Sequence, residues 1–280
     1  MSIETYFPKK SNLSTGGVTG FTMFKVFLNS FFIQSAWSFE KMQGLGFAAS
    51  LAHAIRDMYK KDNDQACAVL KRHMVFYNAH PYMASPILGA VIKMEEEVKG
   101  GKRDAKDISY FKESLTGPYG AIGDTFFWGA IRPLASVLGV ISALIWGLWG
   151  PVVFLIVYNI FHLWMRWFGL CNGYRLGEDV VEYIKSLELP EWALRVRLIT
   201  TVFFGILVAI VVFKWFKYTT VEGQPDRIYL IFLMAIFMVI PTILLSGVLR
   251  KGISVSLAIY LLFIPAFVFL IVMNMFQRIG

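Results

Sequence analysis

Long charge-free apolar runs dominate the second half of the chain. Residues 134–165 contain no charged side chain, too long a run for one membrane span of about 20 residues. WGLWGP at 146–151 interrupts it with two glycines and a proline, which predicts two helices joined by a short turn. Residues 198–213 form another run, closed by Lys214 and Trp215, a lysine and aromatic pair suited to a membrane interface. Residues 228–249 and 253–277 are equally free of charge and are separated by Arg250, Lys251 and Gly252, so they predict a tight transmembrane hairpin. The pattern gives an all-α membrane protein with about five transmembrane helices in residues 134–280 and a charged cytoplasmic connector at about 166–197.

The first half reads differently. After a polar segment, residues 1–25, the apolar stretches 26–39 and 42–55 are separated by Glu40 and Lys41. Each is about 14 residues, and at ~1.5 Å per residue reaches only about 21 Å, short of a hydrocarbon core near ~30 Å. They predict re-entrant or amphipathic helices. Residues 114–131, SLTGPYGAIGDTFFWGAI, set four glycines, a proline and an aspartate in an apolar segment, which predicts broken backbone. Such backbone is tolerated at membrane depth only inside protein or along a wet cavity, so 26–133 is expected near a substrate path. Between these stretches, Asp62, Asn63 or Asp64 can cap a helix carrying Ala66, Val69, Leu70, Met74 and Tyr77, ended by Asn78 and Pro81. A second helix carries Val91, Met94 and Val98, with Lys93–Glu97 and Glu95–Lys99 as i,i+4 pairs and MEEE at 94–97 as a solvated face. Past Gly100 and Gly101, Ile108, Phe111 and Leu115 mark a third.

Composition supports a membrane rather than a soluble reading: 56% of the 280 residues are hydrophobic and 16% charged, with a mean hydropathy of +0.57. The formal net charge of +8 fits nucleic-acid binding or basic loops at an anionic leaflet. Lys and Arg alternate with acids instead of forming a stripe, which favours the leaflet and leaves no nucleic-acid partner. Seven basic residues fall in loops on the N-terminal side and four on the other, so the N-terminus is expected inside, at the cytoplasm. The first 20 residues are polar and rich in Gly, Ser and Thr, unlike a cleavable signal peptide.

Candidate chemistry concentrates in QSAWSFEKMQ. Gln34, Ser35, Trp37, Glu40 and Gln43 supply a carboxylate, amides, a hydroxyl and an indole, with Trp37, Glu40 and Gly44 on one face if the segment is helical. Sugars need bidentate polar partners for hydroxyls and aromatic rings for C–H faces, so a sugar site fits. The alternative is that Glu40 pairs locally with Lys41 or a neighbouring helix while the amides bridge helices. Asn78 joins the candidates, as does Asp124, which could cap a half-helix, touch substrate or meet a partner subunit, with Arg132 as its ion-pair partner or as an interfacial anchor. His53, His73, His80 and His162 show no metal-ligand spacing, Cys67 and Cys171 no CxxC, and no P-loop, GxSxG, HExxH or GxGxxG occurs. No catalytic residue, metal or cofactor is therefore expected.

Three ordered blocks, QSAWSFEKMQGLGF, RHMVFYNAHPYMASPILGAVIKMEEE and LTGPYGAIGDTFFWGAIRP, resemble the IID membrane subunit of the bacterial mannose-family sugar phosphotransferase system. The resemblance implies a subunit that is not itself an enzyme. It would assemble with a IIC membrane subunit, as a trimer of such pairs in the cell membrane, for uptake of a hexose or amino sugar. Soluble IIA and IIB carriers would supply the phosphoryl group. Membrane lipid is the remaining expected partner. KYTTVEGQPDR at 217–227 is shorter than the insertion of the mannose-specific branch there, leaving amino-sugar and sorbose branches equally open. A membrane-embedded transferase using Glu40 or Asp124, and a scaffold with no ligand contacts, are the competing readings.

Overall fold

The computed structural model describes residues 18–60 and 62–221; the expected hairpin at 228–277 lies outside them. The chain divides into units Met1–Leu207 and Val208–Gly280. Among the described residues the secondary structure is helical, apart from isolated bridges between single residues. Helices α1 (Gly20–Ser30) and α2 (Gly44–Met58) form a hairpin. Thr19 caps α1 by accepting from the Thr22 N–H. Gly46 lies so close to the Ile33 carbonyl that a Cβ would overlap it, which fixes glycine at this crossing. The predicted apolar stretches are thus helical only in part, because residues 31–43 turn back on themselves.

Asp62 caps α3 (Asn63–His73), accepting from Gln65 N–H at 2.9 Å, as expected. The helix stops short of Asn78. Tyr77 sits in the following loop because its backbone groups bond the 31–43 turn instead of an α-helical neighbour. Helix α4 (Ala84–Lys99) is the centre of the fold, buried without interruption from Ala84 to Ile92. A helix apolar on every side belongs inside protein or membrane. It crosses α7 (Trp149–Leu176) through small residues: Gly89 abuts the Leu170 carbonyl, and Gly173 the Pro86 carbonyl. Close approach of this kind gains dispersion and excludes larger side chains.

The MEEE run departs from expectation. Glu95 is 0% exposed because α4 turns it toward α3. Glu97 pairs with Arg103 at 2.8 Å, Lys99 donates to the Met58 carbonyl, and Lys93 reaches Glu96 at 4.0 Å. Neither predicted i,i+4 pair forms.

Asp104 caps α5 (Ala105–Gly123), accepting from Lys106 N–H at 2.9 Å. Instead of the expected break, α5 runs through Pro118 into a π-helix (Asp124–Ile131) and on into α6 (Arg132–Trp146). Pro133 has no N–H for Gly129 O four residues back, and its ring crowds that carbonyl; the wider π turn accommodates both. Arg197 Nε donates to the Gly129 carbonyl at 3.2 Å. The WGLWGP turn appears as predicted, with Gly147 at φ 62°. After α7, a 3-10 turn (Gly177–Asp179), α8 (Val180–Ser186) and α9 (Leu189–Val221) follow. The stretches Ala105–Trp146 and Trp149–Val211 are long and apolar enough to cross a membrane, and in the second only 6% of the most apolar window is buried. That is the exposure expected where lipid, not protein, is the solvent.

Candidate functional site

Two loops, 31–43 and 74–83, meet at one end of the fold. Gln43 N–H donates to Tyr77 O at 2.8 Å, and Tyr77 N–H to Lys41 O at 3.3 Å. Buried Gln43 completes the splice: Nε2 donates to Ala79 O at 2.8 Å, and Oε1 accepts from Ala79 N–H at 3.4 Å. Gly44 permits it, since a Cβ there would overlap the Val75 carbonyl. Gln43 is therefore a strut, with both ends of its amide engaged. Gln34, Ser35, Trp37, Glu40 and Asn78 all lie exposed on this loop pair. Ser35 Oγ donates to Phe32 O at 2.7 Å, and Trp37 packs edge-on to Phe39 at 5.3 Å. The expected helical face joining Trp37, Glu40 and Gly44 does not exist, because the backbone reverses at a Ser38–Met42 bridge. Phe39, 87% exposed, Phe32 and Phe76 add apolar surface to the same end.

Beneath the loops lies a buried charge cluster that sequence reasoning missed. Both Glu95 oxygens accept from Arg72, Nε at 3.1 Å and an Nη at the other oxygen, while His73 Nε2–H donates to Glu95 at 2.7 Å. Lys112 from α5 donates to His73 O at 3.4 Å and lies 4.4 Å from the Phe47 ring centroid. Burial holds the His73 pKa below its ordinary value, against the raising influence of the Glu95 hydrogen bond. Burial, then the Glu95 charge, raises that of Tyr59. The Glu95 carboxylate is paired with Arg72 and His73, the condition for a buried ionic group to persist. Arg72, His73 and Glu95 recur within one quoted block, but nothing in their spacing shows that the acid faces inward.

On the other side of the second loop, His80 packs against Gly123 and stacks on Phe127, centroids 5.1 Å apart. Its Nε2 has no hydrogen-bond partner among the described residues. Burial, then the charges of Arg166 and His162, pulls the His80 pKa down to about 3. Tyr82 stacks on His162 at 4.0 Å, and its hydroxyl meets that of Tyr158 at 2.8 Å. Arg166, 3% exposed, donates to His162 Nε2 at 2.8 Å and Ser30 Oγ at 2.9 Å, lying over the rings of Phe31 and Tyr82. The i,i+4 spacing of His162 and Arg166 at the end of an apolar run was the available signal for this pair.

Asp124 follows Gly123 directly but points elsewhere. It is exposed, caps no half-helix, and its carboxylate has no hydrogen bond or ion pair among the described residues. Arg132 does not pair with it. Asp124, Trp128 and Arg132 instead recur at four-residue intervals as exposed positions on the same long apolar helix. No group of three His, Cys, Asp or Glu side chains placed to hold a metal occurs among the described residues.

These features define an all-helical membrane protein whose polar groups gather at one loop pair, in buried clusters and along one helix face. The chain belongs to the family described as PTS system mannose/fructose/sorbose family IID component, which matches residues 18–276. It is 39% identical over 158 residues to the mannose-specific EIID component of Escherichia coli (strain K12), covering 56% of each chain; the match thus spans little more than half of that relative. Similarity to the sorbose-specific EIID component of Lacticaseibacillus casei is 32% over 270 residues, covering 91% of this chain and 94% of the relative. Among solved structures, the mannose transporter ManYZ in complex with microcin E492 is similar with a TM-score of 0.56 and 34% identity, over 69% of this chain and 71% of that one.

Proposed function

We propose that this chain is the IID-type component of a sugar phosphotransferase permease in a bacterial cell membrane, and that it works only in combination with a IIC-type sister subunit. The observation that carries this reading is Asp124, without a partner among the described residues, and exposed Arg132, both on the stretch Ala105–Trp146, which holds a window apolar enough to cross a membrane. Ionisable groups at membrane depth rarely face lipid and favour protein or a wet cavity. The sister subunit covers this face, supplying a donor for Asp124 and an acceptor for Arg132. Gln34, Ser35, Trp37, Glu40 and Asn78 line the sugar path at the loop pair. Gln43 holds the loops in register.

The chain carries no phosphoryl group itself; soluble IIA and IIB carriers deliver it to the sugar at the inner face. The chain crosses the membrane five times with its N-terminus in the cytoplasm, an orientation supported by the excess of basic residues in the loops on that side, and IIC–IID pairs assemble as trimers. Uptake of radiolabelled sugars by cells expressing this chain with and without its sister subunit tests the proposal. Uptake requiring both is expected, and Glu40→Gln is expected to lower it about tenfold, the loss of a charged hydrogen bond. Sugar modification by this chain alone, without phosphocarriers, would instead establish a membrane-embedded transferase.

A further inference from the structure

An apolar cavity of about 560 Å³ opens between the π-helix, α7 and the start of α9. Phe126, Phe161, Trp164, Leu187, Trp192 and Val196 line it. Its volume suits a small-molecule guest, but a sugar would find no carboxylate, amide or hydroxyl side chain in the lining to replace lost water contacts. The guest must be apolar where it is enclosed.

The rim has the opposite character. Arg195 lies over the Trp192 ring, 5.0 Å from its centroid. The Arg197 guanidinium stands on the Gly129 carbonyl at 3.2 Å and the Thr125 carbonyl at 3.5 Å, beside Phe126 of the lining. Both arginines are exposed, and neither forms an ion pair with a described residue. Lys185 is engaged with Glu182 at 3.7 Å, while Glu188 and Glu191 lie at or before the first turn of α9. The arginines sit where the charged connector gives way to the charge-free run at 198–213, the depth of phosphate headgroups.

We propose that this cavity binds one acyl chain of an anionic phospholipid, whose headgroup phosphate rests on Arg195 and Arg197. The apolar wall accounts for the chain, and the two guanidinium groups, neither in an ion pair with a described residue, account for the sign of the head.

The test uses the full membrane complex in phosphatidylcholine vesicles doped with phosphatidylglycerol carrying a photoreactive diazirine near its chain end. The matching phosphatidylcholine probe serves as control. Mapped adducts are expected at Phe161, Trp164 or Trp192 with phosphatidylglycerol and at least about fivefold fewer with phosphatidylcholine. Arg195→Gln, at an exposed site, is expected to lower the phosphatidylglycerol adducts about fivefold, and Val196→Trp to remove them by filling the space. If Val196→Trp fails to fold, Arg195→Gln alone decides. Equal labelling by both probes, adducts confined to 198–211, an unaltered Arg195→Gln yield, or cross-links from these positions to the sister subunit would each overturn the proposal.

Discussion

Glu95 and Asp124 are both acids on largely apolar helices, yet their surroundings differ in every respect. Glu95 is wholly enclosed, and its carboxylate is saturated by Arg72 and His73 from α3. Asp124 is exposed on a helix apolar enough to cross a membrane, without a partner among the described residues. An enclosed and satisfied acid holds a fold together, whereas an exposed acid without a partner among the described residues is free to meet another surface. The comparison separates architecture from assembly within a single polypeptide.

Removing Glu95 should produce the largest effect. Glu95→Gln leaves the Arg72 and Lys112 charges without their carboxylate and is expected to cost about 3 kcal/mol, seen as a lower melting temperature of the detergent-solubilised protein. Next comes the α4–α7 crossing, where Gly89→Ala forces a methyl into the Leu170 carbonyl and should cost about 2 kcal/mol by the same assay. Acid acts on the same region more weakly. His73 and His80 are held neutral by burial, with folded pKa values below the ~6.5 of an unfolded histidine. Their contribution is complete above pH ~6.5 and falls as pH drops, for His80 down to about 3. Moving from pH 7 to 5 should cost about 1 to 2 kcal/mol, and His80→Phe should soften the fall in melting temperature. Asp124→Asn should change the stability of the isolated chain by under about 0.5 kcal/mol while reducing recovery of the sister subunit in affinity purification.

Much of this organisation is legible in the sequence where a single physical cause acts. Absence of charge marks the α6–α7 hairpin, and Asp62 caps α3 because a side-chain acceptor there meets a free N–H. The loops were harder to read. Residues 31–43 are apolar enough for a helix, but their backbone is bonded to Tyr77, and the Gln43 side chain to Ala79, in a loop more than thirty residues away. The inward turn of Glu95 is likewise invisible locally, since MEEE carries every mark of a solvated face. Glycine and proline disfavour helices, so residues 114–131 predict a break; in an apolar setting the helix persists and absorbs Pro133 as a π turn. Gln34, Trp37, Glu40 and Asn78 do lie exposed on the same loop pair, but the helical face expected to join Trp37, Glu40 and Gly44 does not form because the backbone reverses between Ser38 and Met42.

Cross-linking from position 128, flanked by Asp124 and Arg132, addresses the central claim most directly. With a photoreactive phenylalanine analogue replacing Trp128 in native membranes, the account predicts one dominant adduct, to the sister subunit, weakened by Asp124→Asn. Adducts to lipid alone, unaffected by that substitution, would contradict it.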